Sequence, residues 1–362
     1  MNGKLISLLL LILVMISCTN KAGQKSDFHD ILNHYFSGHF ENDGPGAAVL
    51  IAKGDEIIFS GTYGFADLNT KEPITTHTLF NLGSISKTFV AYGILILHQE
   101  KLLSIEDPLS LFFKDFKHPE IAEQVKIKHL LTHTSGLPDI RKVNEEYDFY
   151  LTARDAENWA PVMQADSLLF DPGTAYEYSN PAFNALALII EQISGVKWQE
   201  FIEDKVFNPA GMKNSTITDG PHPESGVAHG YEKIQDQWIE MDYGEVPTFA
   251  ASGNGGVWSS VEELMKYEHA IQNALFIDTE VIEASRTVQI PDAQWQSSKE
   301  PFIGWSWFIE EHSGIHAIRH TGTQGGFYSD YVYLPEKKVL YIVLANCIFP
   351  RQESLFKVLS LL

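Results

Sequence analysis

The sequence predicts an α+β fold: one antiparallel sheet built from both chain ends, flanked by helices, with a helical region inserted between the strand-forming parts. Near the amino end, segments 46–52 and 56–64 are rich in small and β-branched residues and enclose a turn, which is typical of a hairpin. Strand-like segments return after residue 302, whereas helical apolar spacing dominates about residues 100–225. We expect a cleft where the two parts meet.

The composition is that of a folded globular protein. The 362 residues are 44% hydrophobic and 20% charged, with a formal net charge of -21. A nucleic-acid surface would need a basic stripe, so the acidic balance argues against a nucleic-acid partner and favours a role in solubility. The sequence has no His-Glu-x-x-His or paired-cysteine motif, and we therefore predict neither a metal nor a cofactor.

The first residues resemble an export signal. Lys4 precedes an apolar run at 5–16 that is too short for a comfortable membrane-spanning helix. The run ends in Met15-Ile16-Ser17-Cys18, which resembles a bacterial lipobox in which Cys18 would be lipidated and become the mature N-terminus. Met15 departs from the usual Leu, so plain signal cleavage is the alternative.

The predicted organisation is a signal peptide with a lipobox-like end at 1–18, a polar tether at 19–27 and a globular domain at 28–362, with its helical insert at about 100–225. Export would place the protein in the periplasm as a membrane-anchored lipoprotein. Its contact with the membrane would be the lipid on Cys18 alone. The sequence does not determine the oligomeric state.

The helical elements follow the hairpin in order. Apolar spacing predicts a buried helix from Ser86 to about residue 100, and 104–107 resembles a capping box that opens another helix. A short helix is predicted at 125–132, and a strongly apolar one at 182–193 with Asn180 as its N-cap. The remaining predicted elements are helices at 27–40, 198–207 and 261–274 and antiparallel strands at 302–309, 317–319, 326–334 and 338–346.

A nucleophile is predicted where the first buried helix begins. Ser84 precedes Lys87 by three residues, so the two side chains share one helical face. A lysine can activate a neighbouring alcohol when burial or nearby charge lowers its pKa. A chain of this length contains a Ser-x-x-Lys about once by chance, so the pair needs support from elsewhere.

That support comes from two further motifs, Tyr178-Ser179-Asn180 and His320-Thr321-Gly322. Taken alone, Tyr178 fits an aromatic residue in a turn, Asn180 a helix cap and the third motif a polar strand end. The occurrence of all three in this order, each at an element boundary, is improbable by chance. The motifs therefore predict one shared site.

With these motifs, the chain resembles the penicillin-recognising serine hydrolases, on the branch of class C β-lactamases, serine D-Ala-D-Ala carboxypeptidases and related esterases. The resemblance covers about residues 28–346 and includes segments 130–138, 208–212 and 255–260. We expect His133, in the first of these, to be structural. The resemblance implies a β-lactamase/DD-peptidase-like fold and an acyl-enzyme mechanism.

It also implies a role for each motif residue. Ser84 would be the acylated nucleophile, and Lys87 and Tyr178 would share proton transfer, with the charge of Lys87 lowering the pKa of the phenol. Which of the two takes the first proton stays open. Asn180 would hydrogen-bond Lys87 or the substrate's amide, and the backbone N–H groups of Ser84 and Thr323 would form the oxyanion hole.

The third motif would face the substrate. His320 and Thr321 would lie against its carboxylate or leaving group, and Gly322 would let the substrate approach closely. Most β-lactamases have Lys where this chain has His320. If a charged His320 binds a carboxylate, kcat/KM for an anionic substrate should fall as the pH rises through the histidine pKa.

The sequence thus predicts a serine hydrolase for D-Ala-D-Ala-type peptides, small esters or amides, with β-lactams as acylating agents. An efficient class C-like β-lactamase is one alternative. A non-catalytic lipoprotein that binds peptidoglycan fragments is another, but such a protein should have lost Lys87 or Tyr178. A general α/β-hydrolase is disfavoured because no serine lies in Gly-x-Ser-x-Gly.

Overall fold

The computed structural model describes residues 27–141, 147–217, 226–241, 250–289, 302–312 and 314–362. The predicted signal peptide with Cys18, and residues 19–26 of the predicted tether, lie outside this range, whereas residue 27 already belongs to a helix. Within the described ranges, no helix combines the length and apolarity needed to cross a membrane.

Fourteen strands and twelve helices are described. The strands are β1 (Ala47–Lys53), β2 (Glu56–Tyr63), β3 (Phe65–Asp67), β4 (Glu72–Pro73), β5 (Phe80–Asn81), β6 (Thr216–Ile217), β7 (Tyr231–Ile234), β8 (Gln237–Glu240), β9 (Val257–Ser259), β10 (Phe302–Ile303), β11 (Phe308–His312), β12 (Ile315–Gln324), β13 (Phe327–Leu334) and β14 (Val339–Ala345). The helices are α1 (27–37), α2 (Ser86–Gln99), α3 (Pro119–Gln124), α4 (Ile127–Leu131), α5 (Tyr147–Thr152), α6 (Asp155–Trp159), α7 (Asn180–Ser194), α8 (Trp198–Ile202), α9 (Asn208–Ala210), α10 (Val261–Gln272), α11 (Thr279–Ser285) and α12 (Arg351–Leu359).

A seven-stranded antiparallel sheet joins the two ends of the chain, as predicted. Its order is β10-β11-β12-β13-β14-β1-β2, so the amino-terminal hairpin adds to strands from the carboxyl-terminal part. The two parts meet where β1 pairs with β14, with Ala47 opposite Ala345 and Lys53 opposite Val339. The predicted α+β fold is confirmed.

Both faces of the sheet are covered. Alternate side chains of a strand point to opposite faces, and β1 places Leu50 on one face and Val49 on the other. The face with Leu50 packs against α2, which contributes Phe89, and the inserted helices belong to the same core. The face with Val49 packs against Phe36 of α1 and Leu355 of α12. The buried α2 therefore lies between the sheet and the inserted helices.

Several predicted elements differ in extent from the observed ones. The strand predicted at 317–319 is the ten-residue β12 (Ile315–Gln324), and the helix predicted at 27–40 ends at residue 37.

The strand predicted at 302–309 is two strands, β10 and β11, separated by a turn in which Ser306 has a φ of +68°. The helix predicted at 125–132 is the shorter α4, because Lys126 before it is extended and pairs across from Pro108.

The capping box at 104–107 does not open a helix. The N–H of Glu106 donates to Ser104 Oγ at 3.2 Å, but the N–H of Ser104 donates to Asp107 Oδ2 at 2.7 Å, so the side chains close a turn. The next residue is Pro108, and a proline disfavours helical backbone in the residue before it. The chain therefore leaves the turn extended, and only a one-turn 3-10 helix, Leu109–Leu111, follows.

The helix that carries the second motif begins one residue earlier than predicted. The N-cap of α7 is Ser179, whose Oγ accepts the N–H of Ala182 at 3.3 Å, and Asn180 is its first helical residue. The end of α7 is as predicted, at Gly195 with a φ of +75°. Because Asn180 does not cap the helix, its side chain is available for another role.

Candidate active site

Ser84 lies in a one-turn 3-10 helix, Gly83–Ile85, that leads directly into α2. Gly83 has a φ of +53°, which side chains rarely allow. A Cβ on Gly83 would also lie 2.8 Å from the backbone nitrogen of Thr323 on β12. Glycine at this position therefore lets the turn and the strand touch.

The same contact explains Gly322. A Cβ there would lie 1.9 Å from the carbonyl oxygen of Leu82, which also accepts the hydroxyl of Ser329 at 2.8 Å. The absence of a side chain at Gly322 thus leaves room for the backbone that precedes Ser84. From the sequence, this glycine was predicted to let a substrate approach closely. The contact brings together the backbone around Ser84 and Thr323, whose N–H groups are the predicted oxyanion hole.

Lys87 is the second residue of α2 and is completely buried. Its Nζ lies 2.9 Å from Ser84 Oγ and 2.7 Å from the backbone carbonyl oxygen of Asn254. Burial, and secondarily the positive charge of Arg141, hold the pKa of Lys87 well below its usual range. The structure therefore brings Ser84 and Lys87 together in a form suited to proton transfer.

Arg141 is a charged neighbour that the sequence analysis did not identify. Its side chain is 1% exposed, and its guanidinium donates to Asp139 through Nε at 2.8 Å and Nη2 at 2.6 Å. A third bond goes to Asn158 Oδ1. No motif surrounds Arg141, so its influence on Lys87 could be found only from the fold.

Tyr178 lies beside Lys87 and is held by His133. The Nζ of Lys87 is 5.2 Å from the centroid of the Tyr178 ring. The ring of His133 stacks on the ring of Tyr178, with centroids 4.3 Å apart and planes at 25°. The carbonyl of His133 accepts the N–H of Glu177 at 3.0 Å, and its Nδ1 accepts the N–H of Ser179 at 3.0 Å.

His133 therefore has the structural role that was expected. Burial, followed by the nearby Lys87 and His320, holds its pKa well below the usual range. The neutral imidazole is the form with a nitrogen lone pair that can accept from Ser179. Two hydrogen bonds and one ring stack from a single residue fix the backbone and ring of Tyr178.

The hydrogen-bond partner of Lys87 differs from the expected one. Among the described residues, its Nζ bonds to Ser84 and to the carbonyl of Asn254, so the predicted bond to Asn180 is not formed. Contact of Asn180 with a substrate amide stays a prediction. The sequence offered one signal for Asn254, the glycines on either side of it at 253 and 255.

His320 is buried, which disfavours the charged form on which the conditional pH dependence of kcat/KM relied. Burial, with a further contribution from Lys87, lowers the pKa of His320 to about 3. Its Nδ1 donates to the carbonyl of Thr321 at 2.8 Å. A histidine in this state carries no charge for a substrate carboxylate near neutral pH.

Thr321 lies on the opposite face of β12 from His320. Its side chain lines a cavity of about 720 Å³ together with Arg319 and Arg351. Because successive strand residues point to opposite faces, Thr321 and His320 would approach a substrate from different sides of β12, and their contact with it stays a prediction. Arg351 reaches the motif from α12, and its Nη1 donates to the carbonyl of Gly322 at 2.8 Å.

The pairing of β12 with β11 ends before the third motif. Among the described strands, β11 pairs with β12 from Ile315 to Arg319, and β13 pairs with it from Ile318 to Gln324. The side of β12 that β11 covers up to Arg319 continues beside the nucleophile turn, where an extended substrate backbone could bind.

The β-lactamase family model matches residues 32–355. Penicillin-binding protein 4* of Bacillus subtilis (strain 168) is 29% identical over 82% of this chain and 67% of its own length. The β-lactamase of Escherichia coli (strain K12) is 24% identical over 97% of this chain and 98% of its own. The crystal structure of a penicillin binding protein from Bacillus halodurans superposes with a TM-score of 0.76 and 26% identity, over 87% of this chain and 95% of that one.

The family match extends over nearly the whole described chain, and the three motifs lie within the matched residues. The similarities also confirm the predicted β-lactamase/DD-peptidase-like fold, because the superposed structure has that fold along almost its full length. The chain belongs to the β-lactamase family, the penicillin-recognising serine hydrolases.

Proposed function

We propose that the protein hydrolyses D-Ala-D-Ala-type peptides, small amides or esters through an acyl-enzyme on Ser84, and that β-lactams acylate the same residue. The observation that carries this proposal is the distance of 2.9 Å between Lys87 Nζ and Ser84 Oγ, combined with burial that favours the neutral amine. The names of similar proteins, a penicillin-binding protein and a β-lactamase, support the substrate class.

The first step transfers the Ser84 proton to a neighbouring base as Oγ bonds to the substrate's carbonyl carbon. The carbonyl oxygen becomes an oxyanion, which the N–H groups of Ser84 and Thr323 stabilise. The leaving amine or alcohol then takes up a proton as its bond to carbon breaks. Water attacks the acyl-enzyme, the acid is released, and Ser84 Oγ regains its proton.

Lys87 is the better candidate for the first base. The sequence left this choice open between Lys87 and Tyr178, with a charged Lys87 lowering the pKa of the phenol. Because the pKa of Lys87 is itself held low, its neutral amine can accept the proton directly. Tyr178, next to Lys87, then carries the proton toward the leaving group.

Two features support a peptide-like substrate. The edge of β12 beyond Arg319, where its pairing with β11 ends, lies beside the nucleophile turn and can align an extended substrate backbone, as sheet edges do in peptide recognition. Arg351 is a permanently charged group near this edge, whereas burial disfavours the charged form of His320. Arg351 is therefore our candidate for the substrate's carboxylate, in place of His320.

Acylation tests the proposal directly. Wild type and Ser84→Ala are incubated with a labelled penicillin and with p-nitrophenyl acetate, and the intact mass is measured. We expect an adduct and ester turnover in the wild type and neither in the variant. A wild type that shows no adduct and no turnover would rule out the enzyme and leave the non-catalytic binding protein.

Relative rates then separate the hydrolase from an efficient β-lactamase. We expect deacylation after a penicillin to be slow, while a D-Ala-D-Ala peptide or a small ester turns over. Fast turnover of the penicillin in steady state would instead favour the class C-like alternative.

We also propose that Cys18 is lipidated and holds the exported protein at the membrane, on the strength of the lipobox-like Met15-Ile16-Ser17-Cys18. Expression with a labelled fatty acid tests this. The label should appear in the wild type and be absent from Cys18→Ala, and an unlabelled wild type would favour plain signal cleavage.

A further inference from the structure

A buried carboxyl group on α6 is connected to the nucleophile's lysine through a chain of hydrogen bonds. Asp155, the first residue of α6, is 7% exposed. Its Oδ1 accepts Asn184 Nδ2 at 2.7 Å and the backbone N–H of Gly253 at 2.8 Å. Asp155 thus joins α7 to the glycine-rich segment 252–256.

The chain continues from there to Lys87. Asn184 Nδ2 also donates to Ser252 Oγ at 2.6 Å, and the Ser252 hydroxyl donates to Asn254 Oδ1 at 2.6 Å. The backbone carbonyl of Asn254 accepts Lys87 Nζ at 2.7 Å. The residue that contacts Lys87 is therefore held through its own side chain and through the backbone of Gly253.

The segment needs such bonds to hold one position. Three of its five residues are glycines, which lose more conformational freedom on ordering than other residues. Gly253 also packs too closely for a side chain, since a Cβ there would lie 2.6 Å from the carbonyl oxygen of Phe183. Fixed contacts on α6 and α7 replace the intrinsic stiffness that the segment lacks.

We propose that Asp155 is a positioning residue for Lys87: it fixes segment 252–256 so that the Asn254 carbonyl holds the lysine Nζ against Ser84 Oγ. The inference rests on the proposed function, because it concerns residues that position the lysine of the same proton-transfer site. Asp155 touches neither Ser84 nor a substrate. It acts through Asn184, Ser252 and Asn254.

The ionisation of Asp155 is consistent with this role. Burial raises the pKa of its carboxyl group to about 7, against the opposing effect of the Asn184 and Gly253 donors, and the negative charge of Glu191 on α7 raises it further. An amide side chain keeps the accepting oxygen and removes the charge. Asp155→Asn should therefore preserve the positioning, whereas Asp155→Ala should abolish it.

The test measures Lys87 itself as well as activity. NMR of protein labelled at the lysine ε-carbons follows the titration of Lys87, whose signal is assigned by its loss in Lys87→Gln. In Asp155→Ala the ammonium form loses its carbonyl acceptor, so the pKa of Lys87 should fall further. Acylation by p-nitrophenyl acetate should slow by about 10²-fold, the effect of misplacing a catalytic group by about 1 Å. Asp155→Asn should restore both.

Ser252→Ala provides a second, smaller disruption of the same chain, and it should shift the Lys87 titration in the same direction. Glu263→Ala is the matched control. Glu263 is also a buried carboxylate that accepts backbone N–H groups, but those of Asn214 and Ser215. The variant Glu263→Ala should lower the Tm of the protein without changing the titration of Lys87.

The outcomes are distinct. Unchanged Lys87 titration in both Asp155→Ala and Ser252→Ala would overturn the inference, as would a shift of equal size in Glu263→Ala. Failure of the wild type to be acylated would overturn the proposed function instead, while the NMR titration would still test whether Asp155 positions Lys87.

Discussion

Two buried cations in this protein have opposite surroundings. Arg286, which follows α11, lies against Glu268 of α10, with Nη1 and Nη2 each 2.7 Å from a carboxylate oxygen. Burial opposes its charge, but Glu268, with smaller contributions from Tyr92 and Tyr331, holds the pKa of Arg286 well above its usual range. Lys87 is equally buried, and among the described residues its partners are a hydroxyl and a carbonyl, both neutral.

The difference shows what converts a buried cation into a base. A carboxylate within hydrogen-bond distance stabilises the charged form in the interior, so the Arg286 pair is a permanent ion pair. Without a carboxylate, and with Arg141 nearby, Lys87 favours the neutral amine. Burial is common to both sites, so the partner's charge decides whether the group holds the core together or accepts a proton.

The largest expected effect comes from giving Lys87 the permanent charge of Arg286. In Lys87→Arg the guanidinium cannot act as a base, since it stays protonated at all working pH values. If Lys87 takes the first proton, kcat/KM for p-nitrophenyl acetate should fall by about 10²–10⁴-fold. Stopped-flow acylation measures this.

Lys87→Gln is the control, because it removes the base and the charge together. Equal losses in the two variants would support general-base catalysis by Lys87. Substantial activity in Lys87→Arg alone would show that the site needs a positive charge beside Tyr178, and that Tyr178 takes the first proton.

The next effect is on stability, at the ion pair. In Glu268→Gln, Arg286 becomes a buried charge without its countercharge, which should lower the free energy of unfolding by about 3–5 kcal/mol. Denaturant unfolding measures the loss. Because this pair does not contact Ser84 or Lys87, the folded fraction should keep the wild-type acylation rate.

A double variant separates the charge from the packing. Glu268→Leu combined with Arg286→Met should be more stable than Glu268→Gln, since no unpaired charge is left inside. If the double variant were the less stable of the two, the countercharge would not be what stabilises this part of the core.

The same contrast explains which parts of the molecule the sequence could predict. The sheet, α2 and the three motifs follow from local patterns: alternation in strands, apolar spacing in helices, and short motifs at element boundaries. Ser84 and Lys87 meet because they are three positions apart where the 3-10 turn continues into α2. These relations are contained within a few neighbouring residues, and the structure confirms the contact between the two side chains.

The surroundings of each ionisable group were not predictable in this way. The sequence analysis made the role of His320 conditional on its charge, and the burial that decides this charge depends on the whole sheet. Arg141 and Asn254 approach Lys87 from distant parts of the chain, without a motif. The pKa of a buried group is set by such long-range contacts, which a single sequence does not display.

The smallest expected effect tests one of those contacts. Arg141→Gln removes a positive charge that disfavours the ammonium form of Lys87, and it leaves the carboxylate of Asp139 without its partner. Both changes favour the ammonium form, so the pKa of Lys87 should rise. Since the base must be neutral, activity is lost below that pKa, and the acid limb of kcat/KM should move to higher pH.

We expect a displacement of about half to one pH unit, equivalent to about 0.7–1.4 kcal/mol. The pH profile of p-nitrophenyl acetate turnover measures it, and Arg141→Lys, which keeps the charge, should leave the acid limb nearly in place. An acid limb that does not move in Arg141→Gln would mean that burial alone sets the pKa of Lys87. The contrast between Lys87 and Arg286 would then rest on the absence of a carboxylate beside Lys87, with no contribution from the charge of Arg141.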